Sequence, residues 1–482
     1  MLEKIKALQL ASEVLDPPAE ARGVYREAIV EYTEEFLETQ DDKPTYLLTE
    51  DKGIALLDSP LTEEGIGMDS ALKLVAYNVD RPGLNPASGG HLGYIPGGGL
   101  YLSALGDMLA DVTNRYAGVF FGNPGAVRME NMLVRWMADM VGYPEGAAGT
   151  LLSGGSLANL SCIVTARDAK GIKAAMVEKS VIYLTEQVHH CVTKAVRIAG
   201  LGEAQIRYIP LDAHYRMNAD ALREIVAKDK AAGLNPFLVV ASTGTTDTGA
   251  VDPADKIAAV AADFDLWFHI DAAYGGFFIL CEEGKKVIRG LEKSDSIVVD
   301  PHKGLFLPYG TGAAIVKDGA KLAASHYYTA NYLQDALQYT DEASPADLSP
   351  ELTRHFRGMR MWLPLKVHGL AAFRASIEEK LWLTRWFWEQ LATIPNMERG
   401  PFPDLSVTLY RYVPTTGDAN IFNETLVKNL HQDGRVFLSS TKIEDVFWLR
   451  LACLSFRTHL HTIKKTLEML REGIATTRKE LE

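Results

Sequence analysis

"SIVVDPHKGLF", residues 296–306, carries an apolar run into an aspartate and a proline and then sets His302 beside Lys303. Continuous apolar residues over this length, closed by a residue that cannot stay in a ladder, describe a strand buried on both faces. The lysine therefore stands just past a strand end. Reading outward, "SVIYL" (180–184), "PFLVVAS" (236–242), "LWFHID" (266–271) and "GAAIVK" (312–317) repeat the pattern, with helix-like segments between them. Such strands separated by helices predict an α/β fold with a mostly parallel central sheet covered on both faces.

The rest of the chain divides around this core. Residues 1–60 read as mostly helical, and the glycine-rich "LNPASGGHLGYIPGGG" (84–99) is too irregular for a helix. "VRMENMLVRWMADMV" (127–141) has apolar residues at helical spacing. Residues 356–395 read as one long helical segment, and the polar stretch 325–350, with Pro345 and Pro350, as a surface loop. The last ninety or so residues alternate strand-like runs ("DLSVTLYRYVP", "RVFLSST", "VFWLRLACLS") with helices over 418–433 and from 458, a small α+β unit. The expected parts are an N-terminal helical segment (1–75), a large α/β domain (76–365) and a small C-terminal α+β domain (366–482).

Composition narrows the function classes. At 482 residues the chain is long enough for more than one core. Its net charge of −13 disfavours polyanionic partners, so neither nucleic acid nor an anionic membrane surface is expected. No apolar stretch reaches the roughly 18 to 20 residues of a membrane span, and the charged N-terminus lacks a secretory pattern. A cytoplasmic location is the expectation. Cys162, Cys191, Cys281 and Cys453 are far apart, without a C-x-x-C pair, which predicts reduced thiols rather than disulfides. No metal-ligand spacing is present among the histidines, so no metal is expected.

Four short stretches can carry chemistry. A lysine held at a strand end in a semi-apolar site can lose its proton and attack a carbonyl, which a solvated lysine does not. Most lysines are only solubilising, so Lys303 needs company. "HIDAAYGG" (269–276) ends a strand at Asp271, where ligands gather in open parallel sheets. An aspartate there suits a pyridinium, keeping a ring nitrogen protonated; read alone, it is equally a cap or turn residue. "LLSGGSLANL" (151–160) puts Gly154, Gly155 and Ser156 before a helical run, an anion cradle if the helix N-terminus is free and otherwise a turn. "TEQVHHCV" (185–192) offers two adjacent histidines, one of which can lie flat on an aromatic ring.

Taken together and in this order, these stretches resemble the group II pyridoxal 5′-phosphate (PLP) dependent decarboxylases, the family of aromatic-L-amino-acid, glutamate and cysteine sulfinate decarboxylases. The likeness covers roughly residues 65–475. It implies the fold type I, aminotransferase-like architecture of PLP-dependent transferases, with PLP as cofactor. It also implies a homodimer with the site at the interface and the N-terminal segment packed on that dimer. "DPHKGLFLPYGTG" implies that Lys303 binds the cofactor covalently, and Asp271 matches the partner of the ring nitrogen. His189 matches the stacking histidine, while Gly155 and Ser156 match the phosphate site. Thr246, in "STGTTDTGAVDP", and Ser296, Asp300 and His302 match positions around the cofactor, although some relatives have asparagine in place of Asp300. Lys303, His189 and Asp271 are the implied catalytic set.

For the substrate, Tyr94 and Pro96 match a pocket wall, and Arg450, in "FWLRLACLS", matches an arginine placed to meet a carboxylate. Tyr116 or Phe120 would add flat apolar contact, and Arg128 a second clamp. Gly97 to Gly99 are expected to widen the wall. The tyrosine that returns a proton in relatives has no single counterpart here: Tyr327, Tyr328, Tyr332 and Tyr339 are all near. The implied activity is decarboxylation of an L-amino acid, aromatic or large neutral, to the amine and CO2. The alternatives are an acidic substrate, an aldehyde-forming decarboxylation with oxidative deamination, an aminotransferase or lyase on the same fold, and a non-catalytic PLP-binding protein.

Overall fold

The computed structural model describes residues 1–328 and 342–481. Seven strands form the large sheet: β1 (Ala148–Leu152), β2 (Ser180–Leu184), β3 (Gln205–Tyr208), β4 (Asn235–Ser242), β5 (Trp267–Asp271), β6 (Ser296–Val299) and β7 (Gly312–Val316). Their order is β1-β7-β6-β5-β4-β2-β3. β7 runs antiparallel to both its neighbours and the other pairings are parallel. Every residue of β2, β5, β6 and β7 is buried. That is why these strands read as unbroken apolar runs instead of alternating ones.

The covering helices follow from local signals. In Pro124–Val141, Asn123 accepts the Ala126 N–H, Pro124 takes the first position, and Gly142 closes the end at φ +84°. Its buried residues, Val127, Glu130, Val134, Met137 and Val141, make one stripe against the sheet. The stretch expected to be one helix over 356–395 is two, Arg357–His368 and Leu370–Leu391. Between them Gly369 has φ +71°, a left-handed conformation that turns the chain and that helical periodicity does not reveal. Within 325–350, the Gly319–His326 helix enters the segment and Pro345–Asp347 forms a 3₁₀ turn. Ser344 Oγ accepts the Phe120 N–H at 3.0 Å, so this part is fastened to the core.

The C-terminal part has its own antiparallel sheet, order β8-β9-β11-β10, of β8 (Met397–Arg399), β9 (Val407–Tyr412), β10 (Ser439–Ile443) and β11 (Val446–Ala452). Helices Ala419–Asp433 and Leu460–Leu481 pack on it around Phe387, Tyr410, Leu426, Leu451 and Leu470. At the other end, helices Leu2–Ser12 and Ala19–Glu38 bury no residue of their own. They leave Leu2, Ile5, Leu8, Val24 and Ile29 exposed. All four cysteines are buried free thiols. No helix among the described residues is long and apolar enough to cross a membrane.

Candidate active site

The carboxyl ends of β4, β5 and β6 open onto a cavity of about 370 Å³, where ligands collect in open α/β sheets. Lys303 lies in the single turn Pro301–Gly304 that follows β6 and reaches this cavity. Its Nζ is 3.0 Å from Asp300 Oδ2, and the Asp300 side chain is buried. The Asp300 N–H donates to Ala273 O at 3.1 Å, which ties the end of β6 to the turn after β5. Burial works against a charged amine, but Asp300 and then Asp271 outweigh it, and the Lys303 ammonium is held above the ordinary lysine value.

Asp271 faces the same cavity from the last position of β5. Burial pushes its carboxyl up from the ordinary value; Lys303, the Ala273 N–H (3.1 Å) and Asn159 Nδ2 (3.2 Å) pull it back. His189 caps the His190–Val196 helix, its Nδ1 accepting the Cys191 N–H at 3.3 Å. Its ring and that of His190 are 4.1 Å apart, and of the two only His189 lines the cavity. Burial, then the charges of His190 and Lys303, push His189 down to about 4, so the ring is neutral at pH 7.

Gly155 and Ser156 line the cavity at the start of the Gly155–Ala169 helix, where backbone N–H groups have no helical partners. A Cβ on Gly155 would stand 2.9 Å from Asp300 Oδ2 and 3.3 Å from Ala273 Cβ, so only glycine keeps this cradle open. Thr246 enters from the loop after β4, and His302 from the lysine turn, its Nδ1–H donating to Thr311 O at 2.6 Å. This donor set suits a flat aromatic aldehyde bearing a phosphate. Lys303 stands at the place for the aldehyde, though as an ammonium held by Asp300 and Asp271 and not as the readily deprotonated amine expected, with a carboxylate for a ring nitrogen, a neutral imidazole for a ring face and a helix N-terminus for the anion. PLP fits the residues present.

Other expected residues stand elsewhere. Ser296 is buried inside β6, where its Oγ bonds Trp267 Nε1 (2.9 Å) and His269 Nδ1 (2.8 Å) instead of bordering the cavity. Tyr94 and Pro96 do not border it either: Pro96 is buried, and the exposed Tyr94 ring lies 5.5 Å from Phe437. Arg450 is no free clamp. Its Nε–H donates to Asp247 O (2.8 Å), Nη1 to Ser439 Oγ (2.8 Å), and Nη2 to Thr246 O and Tyr94 O (3.4 Å). A guanidinium so engaged fastens the threonine loop and the Tyr94 backbone to β10 and β11.

The expectation that Gly97 to Gly99 widen the wall is corrected at two positions. A Cβ on Gly97 would meet His302 O at 2.1 Å, and one on Gly98 would meet Ser455 Oγ at 2.7 Å. Gly97 lets the His302 backbone pack closely and Gly98 leaves room for the Ser455 and Phe456 side chains; of the three only Gly99 faces open space. Phe120 is covered by the Arg128 guanidinium at 5.2 Å, and Arg128 pairs with Glu342, so neither reaches the cavity; nor does Tyr116. Tyr327 and Tyr328 are exposed and do not border it, while Tyr332 and Tyr339 lie outside the described residues.

Sequence reasoning missed Asn159 and His269. Asn159 is four residues beyond Gly155, hence on the same helix face, and His269 is two before Asp271, hence on the same strand face. Spacing could have found both. A second chamber of about 290 Å³ shares His302 and Tyr309 with the first and is walled by Phe36, Leu84, Pro86 and Leu307, with Asp80 and Asn85 at its polar positions.

Comparison with known proteins places these features in context. Residues 88–398 match the family described as the pyridoxal-dependent decarboxylase conserved domain. An aromatic-L-amino-acid decarboxylase of Bacillus atrophaeus is 32% identical over 372 residues, 76% of this chain and 77% of that protein. An L-2,4-diaminobutyrate decarboxylase of Acinetobacter baumannii is 28% identical, covering 86% of this chain and 87% of its own. Among solved structures, Oryza sativa TDC with PLP and tryptamine superposes with a TM-score of 0.90 at 25% identity, over 95% of this chain and 98% of that one.

Proposed function

The chain belongs to the pyridoxal-dependent decarboxylase family, a PLP-dependent amino acid carboxy-lyase, and from that premise we propose that it acts on an L-amino acid with an aromatic or large neutral side chain. The observation that carries the substrate class is the second chamber. Its walls are mostly apolar, and it shares His302 and Tyr309 with the first cavity; this adjacency to Lys303 supports the reading that a substrate side chain is received there.

Bound PLP supplies the electron sink for the bond that breaks, and the protein decides which bond that is. In our reading Lys303 would hold the cofactor covalently through Nζ, and the carbon that loses CO2 takes up one proton in its place. Asp271 would keep the ring nitrogen cationic, and His189, neutral at pH 7, would stack on the ring. Gly155, Ser156 and the helix behind them hold the phosphate without a side-chain cation. Thr246 and His302 would orient the ring edge.

We also infer a homodimer with the site at the interface. The exposed apolar residues of helices Leu2–Ser12 and Ala19–Glu38, which find no cover within one chain, support this. Light scattering on the purified chain tests it; a monomer at micromolar concentration rejects it.

The substrate test incubates PLP-loaded protein with the common amino acids, dihydroxyphenylalanine and 2,4-diaminobutyrate, reading CO2, amine, aldehyde and peroxide together. Amine and CO2 from an aromatic or large neutral amino acid are expected. Preference for an acidic or diamino substrate overturns the substrate class, and aldehyde with peroxide overturns the amine product.

A further inference from the structure

Behind Asp271 the interior holds a row of polar side chains that the reading above leaves without a role. Trp267 Nε1 is 2.9 Å from Ser296 Oγ, which is 2.8 Å from His269 Nδ1. His269 Nε2 is 2.8 Å from Asn159 Oδ1, and Asn159 Nδ2 is 3.2 Å from Asp271 Oδ2. All five residues are buried. Strand alternation puts Trp267, His269 and Asp271 on one face of β5, and His269 pairs in register with Ser296 on β6. Asn159 comes down from the Gly155–Ala169 helix, where its Nδ2 also donates to Gly155 O at 2.9 Å and approaches Cys191 Sγ at 3.5 Å.

The direction of every bond in this row is determined. An indole N–H only donates and a carboxylate only accepts. Asn159 must therefore turn its NH2 to Asp271 and its carbonyl oxygen to His269, which places the imidazole proton on Nε2. Nδ1 must then accept, so the Ser296 hydroxyl donates to it while accepting from Trp267. The four bonds all point toward Asp271. Burial pushes His269 down to about 4, consistent with this single neutral tautomer at pH 7.

We propose that Asn159, His269 and Ser296 are positioning residues, a polarised row that holds the Asp271 carboxylate charged and aimed at the ring nitrogen of the cofactor. A dry site favours the neutral acid. Donors aligned behind the carboxylate offset that cost, and aligned bonds reinforce one another. The inference rests on the reading of Asp271 as partner of the ring nitrogen.

The test compares affinities of the cofactor-free full chain for PLP and for its deaza analogue, in which carbon replaces the ring nitrogen. The ratio of the two reports the Asp271 contact and needs no turnover. Wild type should prefer PLP. Asn159→Ala should shrink that preference about tenfold or more, the scale of one hydrogen bond to a charged group. Ser296→Ala, acting through two further bonds and replacing a small side chain, should shrink it a few-fold. If either variant weakens both ligands by one common factor, its effect is on packing and the proposed row is wrong. If wild type shows no preference, the reading of Asp271 fails and takes the row with it.

Discussion

Lys303 and Lys380 are two lysines that this chain withdraws from water, and they are withdrawn to different ends. The Lys380 side chain has 0% exposure and donates to Glu379 Oε2 at 2.8 Å and to Thr458 O. Glu379 in turn accepts from His459 Nδ1 at 2.8 Å. Lys303 has one carboxylate at 3.0 Å, and 23% of its side chain faces a cavity. A buried charge with its donors occupied is a fastener; one that faces a polar cavity is poised for a ligand.

The largest expected effect breaks the role of Lys303. Lys303→Ala should lose decarboxylation by about four orders of magnitude or more, since each 1.4 kcal/mol of lost stabilisation is roughly tenfold. The visible absorbance of a lysine-linked cofactor should vanish with it, while thermal unfolding of the cofactor-free chain changes little. Retained colour and turnover would remove Lys303 from the chemistry.

Lys380→Ala should do the reverse. It leaves the Thr458 carbonyl without its donor and Glu379 with His459 alone, and should cost about 1–3 kcal/mol of stability in denaturant titration. Lys380→Met, an apolar replacement of similar volume, should cost distinctly less. Equal losses in the two variants would mean that volume and not charge pairing is at stake.

Next in size, Arg450→Met should weaken cofactor binding about tenfold, because the Thr246 and Asp247 carbonyls lose their donor and the loop loosens over the cavity. Substrate KM in cofactor-saturated enzyme should move less than cofactor affinity. A KM effect alone would restore Arg450 as a carboxylate clamp.

The smallest effect concerns acid stability. His91, His189 and His269 are each pushed down to about 4 by burial foremost. The unfolded chain binds those protons near pH 6.5, so stability is full above that value and is lost as pH falls toward 4. Asp252, pushed up to about 6, and Asp271, Asp295 and Asp347, also held above the ordinary value by burial, have the opposite sign, while His302 and His326, held low by burial, add to the histidine side. Melting temperature should therefore decline from about pH 7 to 4. His91→Phe should flatten that limb; an unchanged limb would show that carboxylates dominate it.

Much of this molecule was legible in the order of its residues. The buried strands of the large sheet, the helix closed by Gly142 and the strand-end positions of Asp271 and Lys303 all follow from period and punctuation within a few residues. The break at Gly369 was not legible, because helical spacing continues across it and only the backbone conformation marks the turn. Gly97 misled for a related reason: a glycine needed for close approach to the His302 carbonyl reads the same as one that widens a pocket.

By itself the sequence determined the strand pattern and which chemical groups stand at strand ends, since side-chain direction repeats over two or four residues and needs no distant partner. Tertiary structure decided which groups meet. Asn159 is 112 residues from Asp271 and Arg450 is 204 from Thr246. Whether an arginine holds a loop or a substrate depends on which carbonyl the packing brings within 3 Å or so of its fork, and no local periodicity carries that distance.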